Sequence, residues 1–102
     1  HLVSAFPSAV NGVLIWGAGR VGKGFGRELA RVGVPVIAYA EVSPRKIGQN
    51  IHGATVLDTD EALRLRDVLH LASVGQEGAR QRLRNLLSRA GYRELENFVA
   101  MA

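Results

Sequence analysis

Cysteine is absent from the chain, which excludes disulfide staples, thiolate nucleophiles and cysteine metal sites and fits a cytoplasmic setting. No apolar run approaches the roughly 20 residues that a membrane-spanning helix needs, so no membrane span is expected. The first residues, HLVSAFPSAVNG, lack a basic stretch followed by an apolar core and a cleavage site, so no secretory leader is expected either. Lysine is scarce: 2 Lys stand beside 11 Arg, and against 9 acids they leave a net charge of +4. These basic residues are scattered. Their densest group, Arg80, Arg82, Arg84 and Arg89, falls on one expected helix with alternating orientation. No aromatic ladder accompanies it, so no nucleic-acid partner is expected. Repeats, low-complexity segments and linkers are missing too, and 102 residues make one domain. The chain starts at His1 instead of methionine, from which it is expected to be a fragment of a longer protein, with residues 1–11 as a lead-in.

What is present is a regular alternation of apolar runs and helical patterns. Asn11-Gly12 signals a turn before the β-rich run Val13 to Trp16. Arg20 to Val32 then carries helical spacing, with Val21, Phe25, Leu29 and Val32 on one stripe and Gly33 at the C-terminal cap. Val34 to Ala40 is a second strand, apolar enough to be buried on both faces. Ser43-Pro44 reads as a cap and first residue of a brief helical turn. Ile51 to Leu57 is expected to be a strand interrupted by Gly53, and Asp58 to Arg66 a short helix with Asp58 and Glu61 as its capping box. Val68 to Val74 is a further buried strand. Gln76 to Ala90 is the strongest helix, with Ala79, Leu83, Leu86, Leu87 and Ala90 on one face and Gly91 behind it, and Phe98 to Met101 closes as a last strand. This alternation predicts a doubly wound, three-layer α/β fold with a mostly parallel sheet of about five strands in the order 3-2-1-4-5.

The first strand runs directly into WGAGRVGKGF, which places a G-x-G-x-x-G motif between strand and helix, where a dinucleotide-binding turn must lie. Gly17 permits the tight turn, Gly19 lets a diphosphate approach the backbone, and Gly22 lets helix and strand pack closely. The residues between them, Ala18, Arg20 and Val21, open the helix, whose free N–H groups and dipole attract an anion. Lys23 adds charge at the same end, and Gly26 is a further candidate for close packing. Glu41 ends the second strand 19 residues after Gly22, where an acid accepts hydrogen bonds from an adenosine ribose and repels a 2′-phosphate. NAD is then preferred to NADP. Arg45 and Lys46, just behind, would reverse that choice by pairing with the phosphate. On the other side of the crevice, the turn SVGQEGAR offers Gly75 for backbone approach, with Gln76 opening another helix and Gly78 behind it.

Taken together, WGAGRVGKGF, AEVSPRKIGQNIHGATVL, SVGQEGARQRLRNLLSRAGY and the final FVAMA resemble a small Rossmann domain appended to bacterial family 2 glycosyltransferases. A more distant resemblance is to the N-terminal domain of sugar O-acyltransferases, which binds a UDP-sugar at a similar glycine turn. The resemblance spans nearly the whole chain from Gly12 onward. It departs at Glu41, where the family more often has Asp, and at Ala54-Thr55, where it has a small residue and Pro. It implies NAD or a UDP-sugar as ligand and a covalently attached catalytic domain.

Catalytic constellations are missing. His1 is terminal, His52 precedes Gly53 in a turn-like strand, and His70 lies within an apolar strand, where a satisfied core histidine is the expected role. Neither Tyr39 nor Tyr92 is followed by lysine four residues on, which excludes a Tyr-x-x-x-Lys reductase arrangement. There is no metal-ligand spacing, no G-x-S-x-G elbow, and the glycine turn fails the phosphate-binding-loop pattern at Lys23-Gly24. The expectation is therefore a nucleotide-binding module without catalytic residues, attached to or regulating a transferase. Two alternatives stand beside it: a minimal NAD(P)-dependent oxidoreductase fragment, and a structural domain whose sheet edge or Arg-rich helix forms a homodimer or interdomain surface.

Overall fold

The computed structural model describes residues 11–41, 45–73, 77–94 and 98–100. Strand β1 (Val13–Trp16) is buried along its whole length, as the centre of a doubly covered parallel sheet must be. It pairs in parallel with β2 (Val36–Ala40) on one side and β5 (Leu69–Ala72) on the other. Outside β2 lies β4 (Ala54–Leu57), outside β5 lies β6 (Phe98–Ala100), and both pairings are parallel. A two-residue strand, β3 (Asn50–Ile51), adds antiparallel to β4, and the full order is β3-β4-β2-β1-β5-β6.

Without β3, this is the expected α/β sheet in the expected 3-2-1-4-5 order. The sixth strand arises because Ile51 to Leu57 folds back on itself. His52 (φ +51°) and Gly53 (φ +87°) are both left-handed, the geometry of a two-residue hairpin turn, and the Asn50 side-chain oxygen accepts the Gly53 N–H at 2.9 Å.

Helix α1 (Arg20–Arg31) crosses from β1 to β2. It stops as its sequence demands: Gly33 is left-handed (φ +84°), its N–H bonds the Ala30 carbonyl at 3.1 Å, and the Val34 N–H bonds the Leu29 carbonyl at 2.8 Å. The expected apolar stripe is corrected. Val21 is 51% and Val32 66% exposed, Phe25 and Leu29 are half-buried, and the residues of α1 that are buried are Gly22 and Gly26. The helix backbone itself sits on the sheet through its glycines, which leaves the edges of the stripe in solvent.

Helix α2 (Thr59–Leu63) is shorter than its pattern, but both bonds of the Asp58–Glu61 capping box are present. Helix α3 (Glu77–Arg89) buries Leu83 and Leu87, with Leu86 and Ala90 half-buried. In β2 the register slips, so that Val13 faces Val36 and Leu14 faces Ala38. Ile37 is the extra residue of this bulge, which is why it stands 42% exposed in an otherwise apolar strand. Alternation along the strands splits the core into two layers. Leu14, Trp16 and Ala72 pack with α3, while Val13, Ile15, Tyr39 and Leu71 pack with Phe25 and Leu29 of α1. Expected roles for Ser43, Pro44, Val74, Gly75, Gln76 and Met101, and the Ala79 side chain, lie outside the described residues, as does His1.

Candidate functional site

The carboxyl ends of β1, β2 and β5 meet at the glycine turn. Gly17 is left-handed (φ +108°), and its N–H donates to the Ala40 carbonyl at 2.8 Å, which ties the start of the turn to the end of β2. Beneath it lies Ser73, at the end of β5 and 4% exposed. Its N–H and its hydroxyl both donate to the Trp16 carbonyl, at 3.0 and 2.8 Å. A Cβ on Gly17 would stand 3.1 Å from that hydroxyl, so Ser73 is the floor of the turn. Sequence reasoning passed over Ser73; its one signal is a small polar residue closing an apolar strand.

Glu41 reaches the turn. One carboxylate oxygen accepts the Ala18 N–H at 3.0 Å, and the Glu41 N–H is anchored on the Leu57 carbonyl at 3.1 Å. Its second oxygen has no partner among the described residues. On the other side of the same residue, the Lys46 ammonium donates to the Ala18 carbonyl at 3.3 Å. Of the two cations expected here, Lys46 is the one that touches the turn, while the Arg45 side chain is exposed. Position alone could not separate these neighbours, because the turn over 45–48 decides which one faces back.

The three glycines of the motif are unlike one another. A Cβ on Gly22 would collide with the Gly17 carbonyl oxygen and lie 2.9 Å from its carbon, so this glycine packs helix against turn. Gly26 does the same one turn later, against the Tyr39 hydroxyl. Gly19 has an ordinary backbone (φ −86°), and a Cβ there would meet only the Lys46 ammonium, at 3.8 Å. Nothing in the fold requires a glycine at that position. Helix α1 begins without a side-chain cap and without an acid in its first turn. Among the described residues, the N–H groups of Gly19, Arg20, Val21 and Gly22 have no acceptor. Four free donors at a helix start form an anion-binding surface.

His70, the one histidine within a strand among the described residues, is fully buried and bonded at both ring nitrogens. The Trp16 indole N–H donates to its Nδ1 at 2.9 Å, and an indole only donates, so the ring proton sits on Nε2 and bonds the Leu65 carbonyl at 2.7 Å. Burial, helped by the Arg66 cation, lowers its pKa to about 4 against the opposing pull of the Leu65 bond. Tyr92 packs edge-on at 4.5 Å and gives its hydroxyl to the Leu63 carbonyl at 2.8 Å. This cluster is core, with Trp16, His70 and Tyr92 all buried. Among the described residues, no group of His and carboxylates is arranged to hold a metal, and no helix is long and apolar enough to cross a membrane.

A six-stranded, mostly parallel sheet with helices on both faces and a glycine turn at the carboxyl end of its first strand is a Rossmann-type α/β fold. No protein-family model and no curated relative matches the chain. Solved structures do. RSP, a Rex-family repressor, superposes with a TM-score of 0.69 at 16% identity, over 88% of this chain and 52% of that one. The same repressor in complex with beta-NADH gives 0.66 at 15%, over 89% and 53%. UDP-D-quinovosamine 4-dehydrogenase from Vibrio fischeri gives 0.67 at 21%, over 88% and 76%. The chain spans about half the length of the repressor structures. At these identities the likeness is one of fold, and it lends no support to the glycosyltransferase and acyltransferase link.

Proposed function

We propose that this chain binds NAD, with the diphosphate over Gly17, Ala18, Gly19 and the start of α1, and the adenosine ribose on Glu41. The observation that carries the reading is the uncapped helix start, where four N–H groups have no acceptor among the described residues, beside a glycine that the fold does not need. An anion completes that arrangement. Arg20 stands at the same end, exposed. Glu41 is held by the Ala18 N–H, which leaves its second oxygen for a ribose hydroxyl. Likeness to a repressor solved with beta-NADH, and in another structure with beta-NAD+ and operator DNA, supports NAD over a UDP-sugar. Gly75 belongs to the proposal on its sequence position alone.

The role proposed is binding without turnover, with any chemistry supplied by an attached domain. A glycosyltransferase as that domain rests on the family resemblance alone. Nucleic acid stays outside the proposal, because the densest arginine group presents no uniform basic face. Arg84 is paired with Glu94 at 3.1 Å, Arg80 is half-buried, and Arg82 and Arg89 are exposed.

Calorimetric titration with NAD, NADP and UDP-sugars tests the reading. Wild type is expected to bind NAD, and Gly19→Val to abolish binding while melting as wild type does, because the new side chain fills the diphosphate approach and meets no core atom. Equal NAD binding by both proteins removes the proposal. Glu41→Ala is expected to weaken NAD by about 1–3 kcal/mol and to narrow the preference over NADP, since Lys46 is then unopposed. An unchanged NAD affinity would take Glu41 out of the site.

A further inference from the structure

In a doubly wound sheet, adjacent parallel strands are usually joined by a helix that covers them. Between β2 and β4 the described residues form a turn over 45–48 and the β3 hairpin instead. The face of the sheet beside α1 is left with a cleft of about 180 Å³, between that helix and the hairpin. It shares no residue with the glycine turn.

Ile51 and Ala54 give the cleft an apolar floor, both buried from solvent at large. Its polar side chains are a phenol, a guanidinium and an imidazole, each able to donate. The Tyr39 side chain is 1% exposed, and its hydroxyl lies against Gly26 with no hydrogen-bond partner among the described residues. Arg27 lines the same cleft without an ion pair among the described residues, close enough for its charge to oppose the rise that burial imposes on the Tyr39 pKa. His52 stands at the rim, held in the left-handed region by the hairpin turn. Among the described residues no carboxylate lines the cleft.

A hydroxyl free to donate, a guanidinium without an ion pair among the described residues and an imidazole above an apolar floor suit an anion with an apolar body. Cavities of about 150 Å³ accept a guest the size of benzene. We infer that the cleft between α1 and the β3–β4 hairpin is a second binding site, taking a small carboxylate whose body is about the size of a six-membered ring. The carboxylate faces Arg27 and accepts from the Tyr39 hydroxyl, while the ring lies on Ile51 and Ala54.

Benzoate is the probe, with benzyl alcohol as its uncharged counterpart, each titrated into nitrogen-15-labelled protein and followed through the backbone amides. Benzoate is expected to give saturable shifts at Gly26, Arg27, Tyr39 and His52, and benzyl alcohol to bind much more weakly. Arg27→Gln, an exposed change, is expected to weaken benzoate about tenfold. Tyr39→Phe is expected to weaken it severalfold and to leave the melting temperature in place. Gly19→Val is expected to bind benzoate as wild type does, which keeps this site separate from the nucleotide reading. Absence of saturable shifts, equal binding of the alcohol, or indifference to Arg27→Gln overturns the proposal.

Discussion

Gly22→Ala is expected to cost about 3 kcal/mol of stability and to remove nucleotide binding with it. The added methyl does not clash with a side chain that can swing away. It meets the carbonyl group of Gly17, which is backbone, with the Ser73 hydroxyl 3.1 Å away on the other side. Gly17 cannot retreat, because its N–H is tied to the Ala40 carbonyl and Ser73 is bonded to Trp16. Relief therefore requires α1 to move off the sheet, and the free N–H groups at its start move with it. Gly24, two residues on in the same helix, is the matched control. A Cβ there meets nothing within 4 Å, so Gly24→Ala should stabilise by about 0.5–1 kcal/mol through helix propensity. Urea unfolding of the two variants should thus move in opposite directions. Equal shifts would mean that the turn is more yielding than its hydrogen bonds indicate.

Acid is expected to unfold the domain from within, through His70. Its folded pKa of about 4 lies below its ordinary 6.5, so the unfolded chain binds the extra proton first as pH falls. Stability from this residue is complete above pH 6.5, declines between 6.5 and about 4, and is level below that. The difference amounts to about 3 kcal/mol, undiluted by solvent because the ring is fully buried. The cause is local. A proton on Nδ1 would face the Trp16 N–H donor to donor, with Arg66 nearby and no carboxylate among the described residues acting on the ring. His70→Gln, which keeps a donor for the Leu65 carbonyl, should lose this part of the pH dependence while retaining whatever the carboxylates contribute. Denaturant midpoints of both proteins from about pH 7 to about pH 4 read the difference. Parallel decline of the two would assign acid sensitivity elsewhere. Ring nitrogen shifts of wild type give a second reading, with His70 staying neutral at Nδ1 down to about pH 5.

Much of the architecture follows from short-range rules that act within a few residues. The buried runs from Val13 and Leu69, the glycines placed between strand and helix, the left-handed cap at Gly33 and the Asp58–Glu61 box each need only their neighbours in sequence. Those signals are enough for the α/β alternation, the strand order and the position of the glycine turn. Ile51 to Leu57 reads in sequence as one strand interrupted at Gly53 and folds as a hairpin, because a turn of two residues barely interrupts alternation.

Tertiary structure alone decided the rest, because it depends on which atoms meet across long stretches of chain. Gly22 and Gly19 are the same residue in the same motif, yet one is pressed against a carbonyl and the other is open. Lys46 and Arg45 are adjacent, and only the path of the chain after β2 selects the first for the turn. Ser73 becomes a floor, and Glu41 a prop for Ala18, through bonds that span 57 and 23 residues. Val21 and Val32 fit a helical stripe but lie in solvent, since a helix that packs through its glycines needs no side chains there to cover its sheet. The His70 proton belongs to the same class. Sequence places an imidazole in an apolar strand, and its neutrality comes from Trp16 and Leu65, each brought to it by the fold.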